Sequence, residues 1–282
     1  MPRTFLAPER PARELSPGVS LTRLQPGGRR GPDGEVTADV PGGQVWTDIF
    51  MLGDEADAFQ LSIPDIRLPA NQYWPLHWHD CWIAVVILDG TCLIGDWYMQ
   101  PGDVLISEAE LEYGPLVIGP DGCQMFEVFA QHHRNAGGYG LEFRDHPTLQ
   151  GTHSQFLERS ALNKRNEGRQ VLPVDGVEGL IKGHLSPGAQ WDLGQADDPD
   201  RGIMRVSQLS PGERVSPHSF ADWCGVIVLD GDLRVGGEPV GKDDVLIVRP
   251  QSRVGELVAG PNGVRFLDMS RTAAGIDRRP VA

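Results

Sequence analysis

His77 and His79, with Trp78 between them, are the residues whose types and spacing best suit chemistry. On an extended strand successive side chains alternate faces, so residues two apart look the same way. Two imidazole nitrogens can then converge on one cation, or handle a proton near neutral pH. By the same alternation Cys81 turns to their side and Asp80 turns away. Glu127, in the later apolar run 123–130, is another carboxylate that can enter the same space. His132-His133 falls just beyond that run and reads as a solvated loop pair.

The elements that must hold these residues come twice. Residues 67–128 and 208–269 align without a gap at a shift of 141. The shift matches His77 with His218, Trp82 with Trp223, Leu88-Asp89-Gly90 with Leu229-Asp230-Gly231, and Asp103-Val104-Leu105-Ile106 with Asp244-Val245-Leu246-Ile247. Gly119-Pro120 falls on Gly260-Pro261, and Glu127 on Asp268. Such collinearity reads as a tandem duplication, and it separates what folding needs from what chemistry needs. Trp82, with its counterpart Trp223, is architectural. His79 has Phe220 as its counterpart, so the His-x-His pair belongs to the first copy alone.

Each copy is a series of short apolar runs, such as 82–88, 91–99, 103–107 and 123–130, punctuated by Asp-Gly, Pro-Gly and Pro-Asp-Gly turns. That is the pattern of an antiparallel barrel or sandwich. The expected organisation is a loop-rich arm over 1–44, an N-terminal barrel with the candidate site over 45–135, and a linker over 136–180. A C-terminal barrel over 181–270 and a frayed tail over 271–282 follow. Within the linker only Ser154–Asn163 hints at a short helix.

The chain has 282 residues, a net charge of −14 and a pI near 4.9. Such a field repels phosphate backbones and anionic lipid, so neither nucleic acid nor a membrane is an expected partner. No apolar run reaches the roughly 20 residues that span a bilayer, and Met1–Ser20 carries proline and charge where a signal peptide would be apolar. The expectation is a cytoplasmic protein acting on a small molecule, with a homodimer left open. Four cysteines, without zinc-knuckle spacing or disulfide density, read as buried reduced thiols.

His77-x-His79, the apolar strand into Asp89-Gly90, then Pro101-Gly102-Asp103-Val104-Leu105-Ile106 and the Gly119-Pro120-Asp121-Gly122 hairpin resemble the two-motif barrel of the cupin superfamily. With the second copy, the whole resembles a bicupin: all-β, two tandem jelly-roll barrels. The resemblance implies a divalent metal, Fe(II), Mn(II), Zn(II) or Ni(II), held by two His and a Glu of the first motif and a His of the second, and no organic cofactor. Carried over, His77 and His79 take the first two positions, Ile83 falls on the Glu and Tyr113 on the last His. Tyr113, Cys81 and Glu127 are then the substitute ligands to consider, while Tyr73, Trp74 and Ile83 would line the mouth and meet the substrate.

The implied reactions are those of a dioxygenase, isomerase or lyase, with Tyr113 as acid, base or donor to an oxyanion. Two alternatives stand beside this. One is a metal-free binding or regulatory bicupin. The other is a metal-independent enzyme in which His77 or His79 and Tyr113 exchange protons. In the second copy the corresponding positions hold His218, Phe220, Cys224 and Val254, so that barrel is expected to be dry, apolar and structural.

Overall fold

The computed structural model describes residues 12–23, 38–40, 43–54, 57, 59–70, 73–74, 79, 81–109, 111, 113–130, 176–195, 201–242 and 244–281. These form two nine-stranded sheets and one small two-stranded pairing. In the first sheet the strand order is Leu180–His184, Asp103–Ser107, Ile83–Ile94, Leu116–Phe129, Leu61–Leu68, Gly43–Leu52 and Ala38–Val40. Tyr73–Trp74 pairs with Leu116–Phe129, and Trp97–Met99 with Ile83–Ile94. The second sheet runs Arg13–Ser16, Val19–Arg23, Asp244–Val248, Cys224–Val235, Leu257–Ser270, Gly202–Leu209 and Gln190–Leu193. All the ladders are antiparallel, and the architecture is the expected pair of jelly-roll barrels.

The ladders repeat their register at the shift read from the sequence. Glu127 lies opposite Val85 and Cys123 opposite Gly90; Asp268 lies opposite Val226 and Val264 opposite Gly231. The glycine is required at both places. Gly90 and Gly231 have φ of 69° and 80°, and a Cβ there would stand 2.1 and 2.2 Å from the carbonyl oxygens of Gly122 and Gly263. Alanine at either position therefore combines left-handed strain with a backbone clash. We expect Gly90→Ala and Gly231→Ala each to lose about 2 kcal/mol, read from urea midpoints. Stability like the wild type in either variant would refute the account.

Strand alternation gives each sheet two apolar faces. Ala84, Val86, Phe126 and Val128 of the first sheet share one buried cluster with Val206, Ile227, Leu267 and Met269 of the second, so the sheets pack on each other. Ile83, Val85, Ile87, Met125 and Phe129 turn the other way, into the interior of the first barrel. Val226, Val228, Val264 and Phe266 do the same in the second.

The ends of the chain differ from the expectation. The segment read as a loop-rich arm contains the hairpin Arg13–Ser16/Val19–Arg23, which joins the second sheet through Asp244–Val248 and buries Val19 and Leu21 in that barrel's core. Reciprocally, Leu180–His184 pairs with Asp103–Ser107 of the first sheet. Each half lends a strand to the corresponding edge of the other. An unpaired edge there would carry unsatisfied N–H and C=O groups, and local sequence does not say which strand covers it. The tail read as frayed is folded as well: it makes a short 3₁₀ turn, Ala273–Ile276, and pairs Arg279–Pro280 with His218–Ser219. The helix expected over Ser154–Asn163 and the pair His132-His133 lie outside the described residues. All four cysteines are free and buried.

Candidate active site in the N-terminal barrel

Glu127 is in phase with Met125 and Phe129, so the strand carries its carboxyl into the first barrel. The residue is buried, and burial pushes its pKa from the ordinary 4.5 up to about 7. Removing a carboxylate from water without a cation to repay the cost favours the neutral acid. Such a group exchanges protons near neutrality.

Tyr113 is wholly buried in the same cluster, and its Oη shares a hydrogen bond of 3.0 Å with Nε2 of His79. The His79 ring sits edge-on to Phe129, with centroids 5.0 Å apart, which fixes its plane. The phenol pKa is raised well above its usual value, first by burial, then by the negative charge of Glu127, then by that of Cys81. Tyr113 is therefore neutral and can donate. These four residues, drawn from the strand Leu116–Phe129 and the two segments before it and before Ile83–Ile94, meet inside one barrel.

Ile83 is wholly buried beside Tyr113 in the interior cluster and offers no ligating atom. Tyr73–Trp74 brings its backbone alongside Val117 and Leu116, at the entry to the strand that carries Glu127. His77 lies outside the described residues. Glu127 was legible only as an inward carboxylate; its raised pKa depends on what surrounds it in space.

The second barrel supplies the contrast. Phe220, Cys224 and Val254 are buried as expected, but the barrel is not purely apolar. Asp268, the counterpart of Glu127, is wholly buried and accepts hydrogen bonds from Ser207 and from Arg278 Nη2, the latter at 2.9 and 3.1 Å. Burial raises the Asp268 pKa, with Arg278 pulling against it. The correction comes from the tail, which brings an arginine to this carboxylate from outside the repeated segment.

The described donors fall short of the divalent-metal site that the resemblance implies. Ile83 stands where the Glu should be, and His79 Nε2 is engaged by Tyr113. Among the described residues no three His, Cys, Asp or Glu side chains come together to hold an ion. The described donors alone do not make up the three or four ligands that such sites use.

No family model matches the sequence, and no curated protein matches it significantly. Solved structures do match the fold. Protein Ylba from E. coli aligns over 93% of this chain and 93% of its own, with a TM-score of 0.54 and 12% identity. The bacterial pirin YhhW of Escherichia coli, in complex with nickel(II), aligns over 90% and 99%, with a TM-score of 0.51 and 13% identity. Oxalate decarboxylase of Lactobacillus farciminis, as a formate complex, aligns over 94% and 88%, with a TM-score of 0.53 and 14% identity. Each likeness spans both barrels.

Proposed function

From a chain whose fold is that of a bicupin, we propose a cytoplasmic small-molecule enzyme of the isomerase or lyase type that moves a proton beside a carbonyl group inside the N-terminal barrel. The observation that carries this reading is the buried Glu127, whose pKa desolvation raises to about 7, beside a neutral Tyr113. With His79 donating its Nε2–H to the phenol oxygen, Tyr113 turns its own O–H to the substrate carbonyl. Glu127 takes the proton from the adjacent carbon. The C–H electron pair becomes the new C=C bond, and the carbonyl π pair moves to oxygen, where Tyr113 stabilises it. The protonated Glu127 then returns a proton to that same carbon as the pair on oxygen re-forms the carbonyl, so the carbon exchanges its hydrogen with solvent or is epimerised. The low-dielectric barrel makes the phenol donor stronger than it would be in water.

The test incubates chelator-treated protein in D₂O with a panel of 2-oxo acids and 1,3-dicarbonyl compounds, and follows loss of the C–H signal by proton NMR. At least one compound should exchange faster than in buffer. The rate should rise as pH passes through about 7, because the base must be ionised and its pKa lies there. Tyr113→Phe and Glu127→Gln should each slow exchange by about 100-fold. Exchange no faster than in buffer across the panel, or unchanged in both variants, would refute the proposal.

A metal-dependent reading is favoured by the His77-x-His79 spacing and by the nickel(II) in the structurally similar pirin. His77 and His79, with Tyr113, Cys81 or Glu127, would hold the ion, which would polarise a substrate oxygen as a Lewis acid. Metal content of protein purified without chelator, and without a metal-carrying tag, decides it. Ligand uptake with neither turnover nor metal would instead support a binding or regulatory module.

A further inference from the structure

The C-terminal segment enters the second barrel much as a bound ligand would. Arg271 anchors its start by bridging Asp222 and Asp57. Ile276 is wholly buried, and its carbonyl accepts from Arg205. The pairing of Arg279–Pro280 with His218–Ser219 then closes the segment over the barrel. Between these contacts Arg278 reaches Asp268, and its guanidinium lies 5.1 Å from the ring centre of Phe266 and 5.8 Å from that of Phe220. A buried carboxylate and two aromatic faces make a recognition site for a planar organic cation.

A second observation shows that the site is not tailored to this arginine alone. Nδ1 of His218 donates to the Ser216 carbonyl at 3.1 Å, which leaves Nε2 as an acceptor. Among the described residues that Nε2 is buried without a partner, and so is Nε of Arg278. Buried polar atoms of this kind are uncommon in structures whose packing is final. In a barrel built only for structure, an apolar plug would cover Phe220 and Phe266 without them.

We propose that the C-terminal barrel is a second ligand site, for a small guanidinium or amidinium compound, held shut by the chain's own Arg278. A ligand cation of that shape would replace Arg278 on Asp268 and between the two rings. Its remaining N–H would donate to Nε2 of His218, a bond Arg278 does not make. Because one cation replaces another, Asp268 stays neutralised, and what is lost is the ordering of the tail.

Two measurements on the full chain test this, with methylguanidinium chloride at millimolar concentration as the probe and tetramethylammonium chloride as the control. In Arg278→Ala, methylguanidinium should raise the depressed Tm by about 3 °C or more, saturably, while the control does not. Adding Asp268→Asn should abolish this rescue. In the wild type, hydrogen exchange of the peptide spanning 271–282 should quicken several-fold with methylguanidinium only. No rescue in Arg278→Ala, or rescue equal to the control, would overturn the site. Tail exchange unaffected by methylguanidinium would overturn its displacement, and this arm stands even where Arg278→Ala fails to fold.

Discussion

Replacing Asp268 with Asn, or Arg278 with Met, is expected to cost about 3–5 kcal/mol each, whereas the double variant should recover most of that loss. Either single change leaves one side chain of a largely buried ion pair without its partner, with Arg205 the remaining cation that acts on Asp268. In Asp268→Asn the guanidinium keeps its rings but loses the carboxylate that accepts from Nη2 at 2.9 and 3.1 Å. In Arg278→Met the carboxylate keeps only the Ser207 hydroxyl of its two side-chain donors. The Asp268 pKa, already raised by burial, should rise further without Arg278. A raised carboxyl pKa means stability that is present at low pH and lost as pH rises through the folded-state value. The deficit of Arg278→Met should therefore grow from pH 5 toward pH 8, while that of Asp268→Asn should not. Urea midpoints of the three variants at both pH values read this directly. Additive single losses, with no recovery in the double variant, would mean that the pair is not coupled.

Glu127→Gln should stabilise the protein above neutral pH and disable it at once. The wild-type carboxyl has a pKa of about 7 in the folded state against an ordinary 4.5. Its raised pKa favours the folded state fully below about 4.5, and that contribution is lost as pH climbs through 7. At pH 8 the ionised, buried carboxylate costs about 3 kcal/mol relative to a neutral isostere. The variant should match the wild type near pH 4.5 and exceed its Tm by roughly 6 °C at pH 8. A constant difference across that range would show that Glu127 does not titrate in the barrel. Destabilisation that is strained into a catalytic group and released by its removal is the usual trade between stability and activity.

The contrast between Glu127 and Asp268 shows where sequence reading stops. The shift of 141 aligns them, and period-two alternation sends both inward. Up to that point local pattern is sufficient, because the pleat dictates which side chains share a face and Gly90 and Gly231 dictate where the strands turn. The same logic made both barrels legible, but not that Ile83, expected at the mouth, is wholly buried, nor that the second interior holds a carboxylate. The difference in charge environment was not, because Arg278 reaches Asp268 from a tail outside the aligned segment, and no local rule says where a chain end will pack.

The same division holds across the molecule. By itself the sequence determined the all-β class, the two repeats and the turn positions, since each follows from neighbours a few residues apart or from the repeat; it offered His79, Cys81 and Glu127 as candidates, and Tyr113 through the family resemblance. Only the tertiary structure decided that Val19–Arg23 completes the second sheet and Leu180–His184 the first. It also decided that His79 pairs with Tyr113, that burial raises the pKa of Glu127, and that Asp268 meets the cation of Arg278. Edge pairing and desolvation are set by whichever distant segment arrives to cover an open strand or a buried charge. That choice rests on contacts between residues 73 or more positions apart for the exchanged strands, which periodicity over a short window cannot register.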